Sequence, residues 1–387
     1  MVLGAVLAMG LMLLMQVPLL HRSAVATMTL APVGSAPGAT TPIAWPSVGS
    51  AALVIPSLGV SKSWNDRVMP IASLTKMMTA YVVLKKLPLA PGQTGPCVTV
   101  SASDVIAYQQ MVATDQSSVL VVSGESLCEF DLLDGLLVHS ASNYAALLAT
   151  MVSPATSDFI TLMNQTAAAL HLTGTTYADV SGYADGSVST ALDQAKLAIL
   201  LMKSPLVRSI VSQPSVTLPV AGTVGSFTPY VGFDNVIGVK SGRTSAAGGC
   251  DVMAMTFQQG ASTQTLYAVV LGQRGGDLLG PAGDAAFALA NSALAHHLHH
   301  VFAKGATVGT LTWGGRDVPF GMAAREEIWW WSAQNRLSMT LDMKRLTGAV
   351  RRGDVVGWLV VRGATSGRFA LSAERTASPP SLWQRLL

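Results

Sequence analysis

Charged side chains are scarce in this sequence. Asp, Glu, Lys and Arg make up only 12% of 387 residues, while 50% are hydrophobic. That balance excludes a disordered chain and a highly charged nucleic-acid binder, so nucleic acid is not an expected partner. Cysteine is rarer still: Cys97, Cys128 and Cys250 are the three, and none stands in a Cys-x-x-Cys pair. A zinc site built of cysteines is therefore not expected, and the odd count leaves one thiol over from any bridge. Basic charge is also thin over most of the chain. Residues 27–295 hold 11 basic and 15 acidic side chains, whereas 296–387 hold 12 and 6, so the net +3 resides in the C-terminal part.

What is abundant is apolar sequence, in a chain long enough for a large domain plus a smaller one. Residues 2–20 carry no charged side chain and would just cross a bilayer; His21-Arg22 and Ala24-Val25-Ala26 follow. Export is the expectation. The Ala-x-Ala pattern suits leader cleavage and the length suits an uncleaved anchor, and both readings of 1–26 stay open. Residues 27–50, rich in Pro, Gly, Ser, Thr and Ala, read as a flexible linker. The implied location is extracytoplasmic, in the cell envelope, with the protein secreted or held at the plasma membrane. Export permits a disulfide. Cys97 precedes an apparent strand and Cys128 a helix, and these two are the expected pair, with Cys250 a small buried strand residue.

The stretch Pro70-Ile71-Ala72-Ser73-Leu74-Thr75-Lys76 opens a run from 73 to 87 free of Gly and Pro, with apolar residues spaced for a helix buried on most of its surface. Ser73 would open that helix. Positions i and i+3 share a helical face, so Lys76 can reach the Ser73 hydroxyl. A serine is a poor nucleophile until its proton is taken, and a lysine takes it only when neutral, which burial or a second cation favours. The plain alternative is an N-cap serine beside a snorkelling lysine.

Two further stretches have the same double reading. His139-Ser140-Ala141-Ser142-Asn143 is a polar knot between the apolar runs 129–138 and 144–149, and it either caps a helix or faces a cleft. Val236-Ile237-Gly238-Val239-Lys240-Ser241-Gly242-Arg243-Thr244 is a β-prone run ending in a cation, a hydroxyl and a glycine. It suits either a turn-terminated strand or an edge that pairs with an extended peptide, with Lys240 and Ser241 on its carboxylate and Gly242 giving room for a backbone. Thr190, three residues before Asp193, has the form of a capping box for a helix over 191–202.

Together, Ser73-x-x-Lys76, Ser140-x-Ser142 and Lys240-Ser241-Gly242 resemble in order and spacing the S-x-x-K, S-x-N and K-T-G motifs of penicillin-recognising serine enzymes. No other lysine in the chain has a serine three residues before it. The wording P-I-A-S-L-T-K-M-M-T-A and G-V-K-S-G-R-T-S-A-A-G-G is similar to that of the low-molecular-mass D-alanyl-D-alanine carboxypeptidases, over roughly residues 50–295. Two departures stand out. Ser241 replaces threonine and keeps the hydroxyl. Ser142 replaces asparagine and loses an amide that both donates and accepts; Asn143 is the neighbouring candidate to restore it.

The resemblance implies an α+β fold, β-lactamase/transpeptidase-like, with an antiparallel sheet flanked by helices, a helical subdomain and a small β-rich C-terminal domain. The expected domains are 51–300 and 305–387. It implies Ser73 as nucleophile, Lys76 as general base and Ser140 as proton relay, with Ser142, Asn143, Lys240, Ser241, Gly242 and Arg243 binding substrate. The backbone N–H groups of Ser73 and Arg243 would form the oxyanion hole. The substrate would be a peptidoglycan stem peptide ending in D-Ala-D-Ala, β-lactam antibiotics would be covalent inhibitors, the membrane surface would be a neighbour, and neither cofactor nor metal is required. An attenuated penicillin-binding wall or regulatory protein, or a serine β-lactamase, is the alternative reading. No E-x-x-L-N segment lies between 143 and 240 to support the last.

Two features stay outside this picture. His296, His297, His299 and His300 offer helical i,i+3 and i,i+4 pairs at the expected end of a helix, with no carboxylate nearby in sequence, and no metal is assigned to them. Trp329-Trp330-Trp331 would alternate faces of a strand, with at least one face in the C-terminal core.

Overall fold

The computed structural model describes residues 24–30, 42–331, 337–362 and 367–381. The chain divides into two compact units, Ala39–His296 and a smaller one that joins His297–Leu387 to the N-terminal Met1–Gly38. The apolar run 2–20 lies outside the described residues. The first described strand, β1 (Val25–Met28), belongs to the smaller unit.

The larger unit begins with the antiparallel strands β2 (Ser50–Ile55) and β3 (Val60–Trp64). Strand β4 (Met69–Pro70) leads into a 3-10 turn, Ala72–Leu74, and helix α1 (Thr75–Lys86). Ser73 thus sits in the turn before the helix and does not open it. Ala72 adopts φ +47°, a left-handed conformation that bends the chain just ahead of the serine. The apolar spacing of α1 explains its position: Met77, Met78, Ala80, Val82 and Val83 are at most 1% exposed. At about 1.5–3 kcal/mol for each large side chain fully buried, packing holds this helix and anchors the turn in front of it.

A helical subdomain follows. Strands β5 (Cys97–Thr99) and β6 (Ser126–Cys128) flank α2 (Ala102–Ala113), which a Ser101/Asp104 capping box starts. Next come α3 (Glu129–Leu137), α4 (Ser142–Val152) and α5 (Thr156–Ala169). Cys97 and Cys128 face each other across β5 and β6 and form a disulfide, while Cys250 is free and buried. Then β7 (Val188–Ser189) precedes α6 (Ala191–Leu201), where Thr190 Oγ1 accepts from Asp193 N (3.2 Å). The Asp193 carboxylate does not return the bond; it accepts from Gly174 N and Thr175 Oγ1 instead. Helix α7 (Pro205–Val211) and the hairpin β8 (Ser215–Leu218) and β9 (Gly222–Gly225) complete this part.

The chain returns through β10 (Val236–Thr244), β11 (Gly248–Gln259) and β12 (Ser262–Gln273), and α8 (Leu279–Leu294) packs on them. The five-stranded antiparallel sheet has the order β10-β11-β12-β2-β3, which makes β10 an edge strand.

In the smaller unit, β14 (Thr307–Trp313), β15 (Arg316–Met322), β17 (Ser338–Met343), β18 (Val355–Arg362) and β19 (Gly367–Ala373) form a sheet with β1, in the order β1-β14-β15-β19-β18-β17. Strands β13 (His297–Phe302) and β16 (Glu326–Trp331) pair separately. The core includes Val308, Leu311, Phe320, Ile328, Trp330, Leu359 and Leu371. Two expectations change here. Residues 297–302 are a strand, so the histidines have no helical i,i+4 relation; His297 and His299 instead stack on Trp329, at 4.8 and 3.8 Å between centroids. Residues 25–28, read as the leader end and linker start, are an ordered strand paired with β14, because Ala24, Ala26, Met28 and Leu30 have apolar core to pack against.

Candidate active site

Three segments of the larger unit converge on one cavity of about 240 Å³. Ser73, Ser140, Ser142, Ser241, Gly242 and Arg243 all line it. Stretches that lie over 60 residues apart in sequence are thus brought to one place by packing of α1 against α4 and of the Ser73 turn against β10.

Lys76 Nζ lies 2.7 Å from Ser73 Oγ and donates to Ser181 O at 2.8 Å. Lys76 is fully buried. Burial foremost, and then the charge of Lys240, holds its amine far below the usual lysine range, while Asp179 pulls it back up. A shift in that direction favours the neutral amine, whose lone pair can take the Ser73 proton.

Ser140 sits between α3 and α4 in a left-handed conformation (φ +61°). Its backbone is held from both sides: Ala141 N donates to Gly135 O, and His139 Nδ1 is 2.8 Å from Gly225 O. The Ser140 hydroxyl is buried yet has no hydrogen-bond partner in the protein. A strained residue with an unsatisfied hydroxyl facing a cleft is arranged for a group that arrives there.

Ser142 lines the cavity and Asn143 does not. The Asn143 amide closes on the backbone of Val119, accepting from Val119 N (3.0 Å) and donating to Val119 O (2.7 Å). The expected substrate contact of Asn143 is therefore corrected. One helical step turns its side chain away from the cleft, and its donor and acceptor are already matched there.

Lys240 is fully buried and is absent from the cavity lining. Its Nζ donates to Ser241 O (2.8 Å), and burial lowers its pKa to about 7, with Asp251 raising it. Asp251 stands across from Ser241 on β11, is fully buried, and has no partner for either carboxylate oxygen. Burial pushes its carboxyl well above the usual range, and Lys240 opposes this. The Ser241 hydroxyl donates to Phe227 O (2.7 Å), so gripping a carboxylate requires it to turn. Gly242 meets a need beyond the one expected. A Cβ there would collide with Ser73 N, so its glycine lets the edge strand touch the backbone of the nucleophile's turn. Arg243 is exposed at the mouth, and its guanidinium pairs with Asp115 across the cleft (3.2 Å).

The sequence reading missed Ser181, Gly182 and Tyr183, which form another wall of the cavity. Their signal was present in the turn-rich run Asp179-Val180-Ser181-Gly182-Tyr183-Ala184-Asp185-Gly186-Ser187. Asp251 had no signal at all, since a lone acid in an apolar strand looks like a surface position.

The family model for D-alanyl-D-alanine carboxypeptidase matches residues 60–275. The D-alanyl-D-alanine endopeptidase of Escherichia coli is 30% identical over 229 residues, which are 56% of this chain and 70% of that one. The D-alanyl-D-alanine carboxypeptidase DacC of the same organism is 35% identical over 138 residues, 35% of this chain and 34% of its own length. In structure, penicillin binding protein 5 from Haemophilus influenzae superposes with a TM-score of 0.61 at 21% identity, covering 89% of this chain and all of that one. The Streptomyces K15 DD-transpeptidase gives 0.55 at 23%, covering 64% of this chain and 98% of its own. These superpositions establish the penicillin-binding fold, with helices on an antiparallel sheet.

Proposed function

This chain belongs to the D-alanyl-D-alanine carboxypeptidase family, and on that premise we propose that it removes the terminal D-alanine from peptidoglycan stem peptides through an acyl-enzyme on Ser73. The observation that carries the proposal is the 2.7 Å contact between Ser73 Oγ and a fully buried Lys76 whose amine is held far below its usual pKa. Lys76 takes the hydroxyl proton as Ser73 attacks the carbonyl between the two D-alanines. Ser140, with its free hydroxyl, passes a proton to the leaving amine. Lys240 supplies positive charge beneath the cleft floor, Ser142, Ser241 and Arg243 meet the peptide, and the N–H groups of Ser73 and Arg243 receive the oxyanion. Water then releases the shortened peptide from Ser73, with no cofactor.

The test is a penicillin label. Ser73→Ala should abolish both labelling and D-alanine release, with mass spectrometry placing the wild-type label on the Ser73 peptide. A label on another serine would overturn the assignment. The Escherichia coli relative named an endopeptidase, of which the chain spans 70%, favours a second reading. The same site would then cut D-alanyl bonds inside cross-linked peptides, and assay of a cross-linked dimer beside a linear stem peptide separates the two.

Such substrates place the protein's work in the cell envelope. We further propose that it stays attached to the membrane through residues 2–20. No single helix among the described residues is long and apolar enough to cross a membrane. Support for retention comes from β1: cleavage after Ala26 would cut the strand in two, removing Val25 and Ala26 from their pairing with Thr312 and Leu311.

A further inference from the structure

One carboxylate near the site has no place in the chemistry above. Asp179 lies in the loop between α5 and β7 and collects donors from five residues. Its Oδ2 accepts from Ser181 Oγ (2.9 Å), Gly182 N (2.9 Å), Tyr183 N (2.8 Å) and Ala184 N (3.4 Å), and its Oδ1 from Gly182 N (3.0 Å) and Ser187 Oγ (2.6 Å). The two oxygens of a carboxylate carry several lone pairs for these donors to share. Ser187 is fully buried, and its hydroxyl accepts in turn from Ala178 N and Asp179 N. The loop is thereby wound around one charge.

The wound loop grips α1 in two places. Ser181 O accepts from Lys76 Nζ (2.8 Å), and Val180 O accepts from Thr79 Oγ1 (2.7 Å). Lys76 and Thr79 are three residues apart and share a helical face. A carbonyl can only accept, so Ser181 O engages an N–H of the amine, and in the neutral lysine this leaves the lone pair for Ser73.

We propose that Asp179 is a positioning residue for the general base: its carboxylate fixes the Ser181 carbonyl that orients Lys76, and its negative charge acts on the same amine. This rests on the reading of Ser73 and Lys76 given above. The charged groups that act on Lys76 are Lys240, from β10, and Asp179. They act in opposite senses, since a nearby cation disfavours the protonated amine and a nearby anion favours it.

The experiment is the pH profile of penicillin acylation in the full chain, with binding before acylation separated from the acylation rate constant. Asp179→Asn removes the charge and turns amide hydrogens toward backbone donors. Its acylation constant should fall about tenfold or more with little change in prior binding. The acid limb of the profile should move to lower pH, roughly half a unit or more, because Lys76 loses its stabilising anion. Ser187→Ala loosens the loop but keeps the charge, so acylation should slow several-fold with the limb unmoved. An unmoved limb in Asp179→Asn, beside normal wild-type acylation of Ser73, would overturn the role alone. A wild type that never acylates Ser73 would overturn the underlying reading and this role with it. Should Asp179→Asn fail to fold by circular dichroism, Ser187→Ala decides: slowed acylation supports the role and wild-type kinetics overturns it.

Discussion

Asn143 and Val119 form a closed pair: the asparagine amide both accepts from and donates to the valine backbone, at 3.0 and 2.7 Å, within the buried interior of the helical subdomain. Ser142, the preceding residue, faces the cleft. The family's asparagine position is therefore occupied by serine, and Asn143 is committed to holding the segment before it.

The two residues should respond oppositely to mutation. Ser142→Asn should leave carboxypeptidase turnover unchanged or raise it, by roughly fivefold if the added amide makes a hydrogen bond of about 1 kcal/mol in the transition state. Asn143→Ala strands two buried backbone groups and should lower stability by about 1–3 kcal/mol, while the remaining folded enzyme keeps its turnover number. Denaturant unfolding and D-alanine release measured on both variants check this, and a dead Ser142→Asn enzyme of normal stability would contradict it.

Lys240 and Lys76 are the fully buried lysines of the site, and the charge on Lys240 helps to hold the amine of Lys76 down. In Lys240→Met that repulsion is gone, so Lys76 holds its proton to higher pH and the acid limb of acylation should move upward. This is the opposite sense to Asp179→Asn. Recognition of a peptide carboxylate should weaken as well, roughly ten- to a hundredfold in kcat/KM. A pH series of acylation rates beside steady-state kinetics on a stem-peptide mimic would show both, and an unmoved limb would remove Lys240 from the control of the base.

The N-terminal strand makes a third prediction. Protein recovered from bacterial membranes should have the intact mass including residues 1–26, and it should resist extraction by alkaline carbonate. A soluble chain beginning at Thr27 would refute retention. Purified protein starting at Thr27 should also melt earlier in its smaller unit than protein starting at Ser23, since it lacks half of β1 and the apolar contacts of Ala24 and Ala26.

What the amino-acid sequence determined by itself was chiefly local. The spacing of Ser73 and Lys76 put two groups within reach of each other wherever that segment folded, and the apolar run behind them required a buried helix. The stretch 305–387 was expected to be β-rich, and it contributes β14, β15, β17, β18 and β19. The pairing of Cys97 with Cys128 and the antiparallel sheet with its helical insert were likewise legible, the second through resemblance of motifs.

Tertiary structure decided everything that depends on where a side chain ends up facing. Position 143 could have offered its amide to the cleft until the register of α4 sent it to Val119. The four histidines read as a helix end until pairing with β16 drew 297–300 into a strand, because His297 and His299 gain Trp329 as a stacking surface there. Residues 25–28 read as the end of a leader and the start of a linker, and they became a strand because β14 pairs with them and the core receives Ala24, Ala26, Met28 and Leu30. Asp179 and Asp251 were invisible for the same reason: a carboxylate's effect on a lysine depends on distance and burial, and both are set by chain segments that meet only after folding.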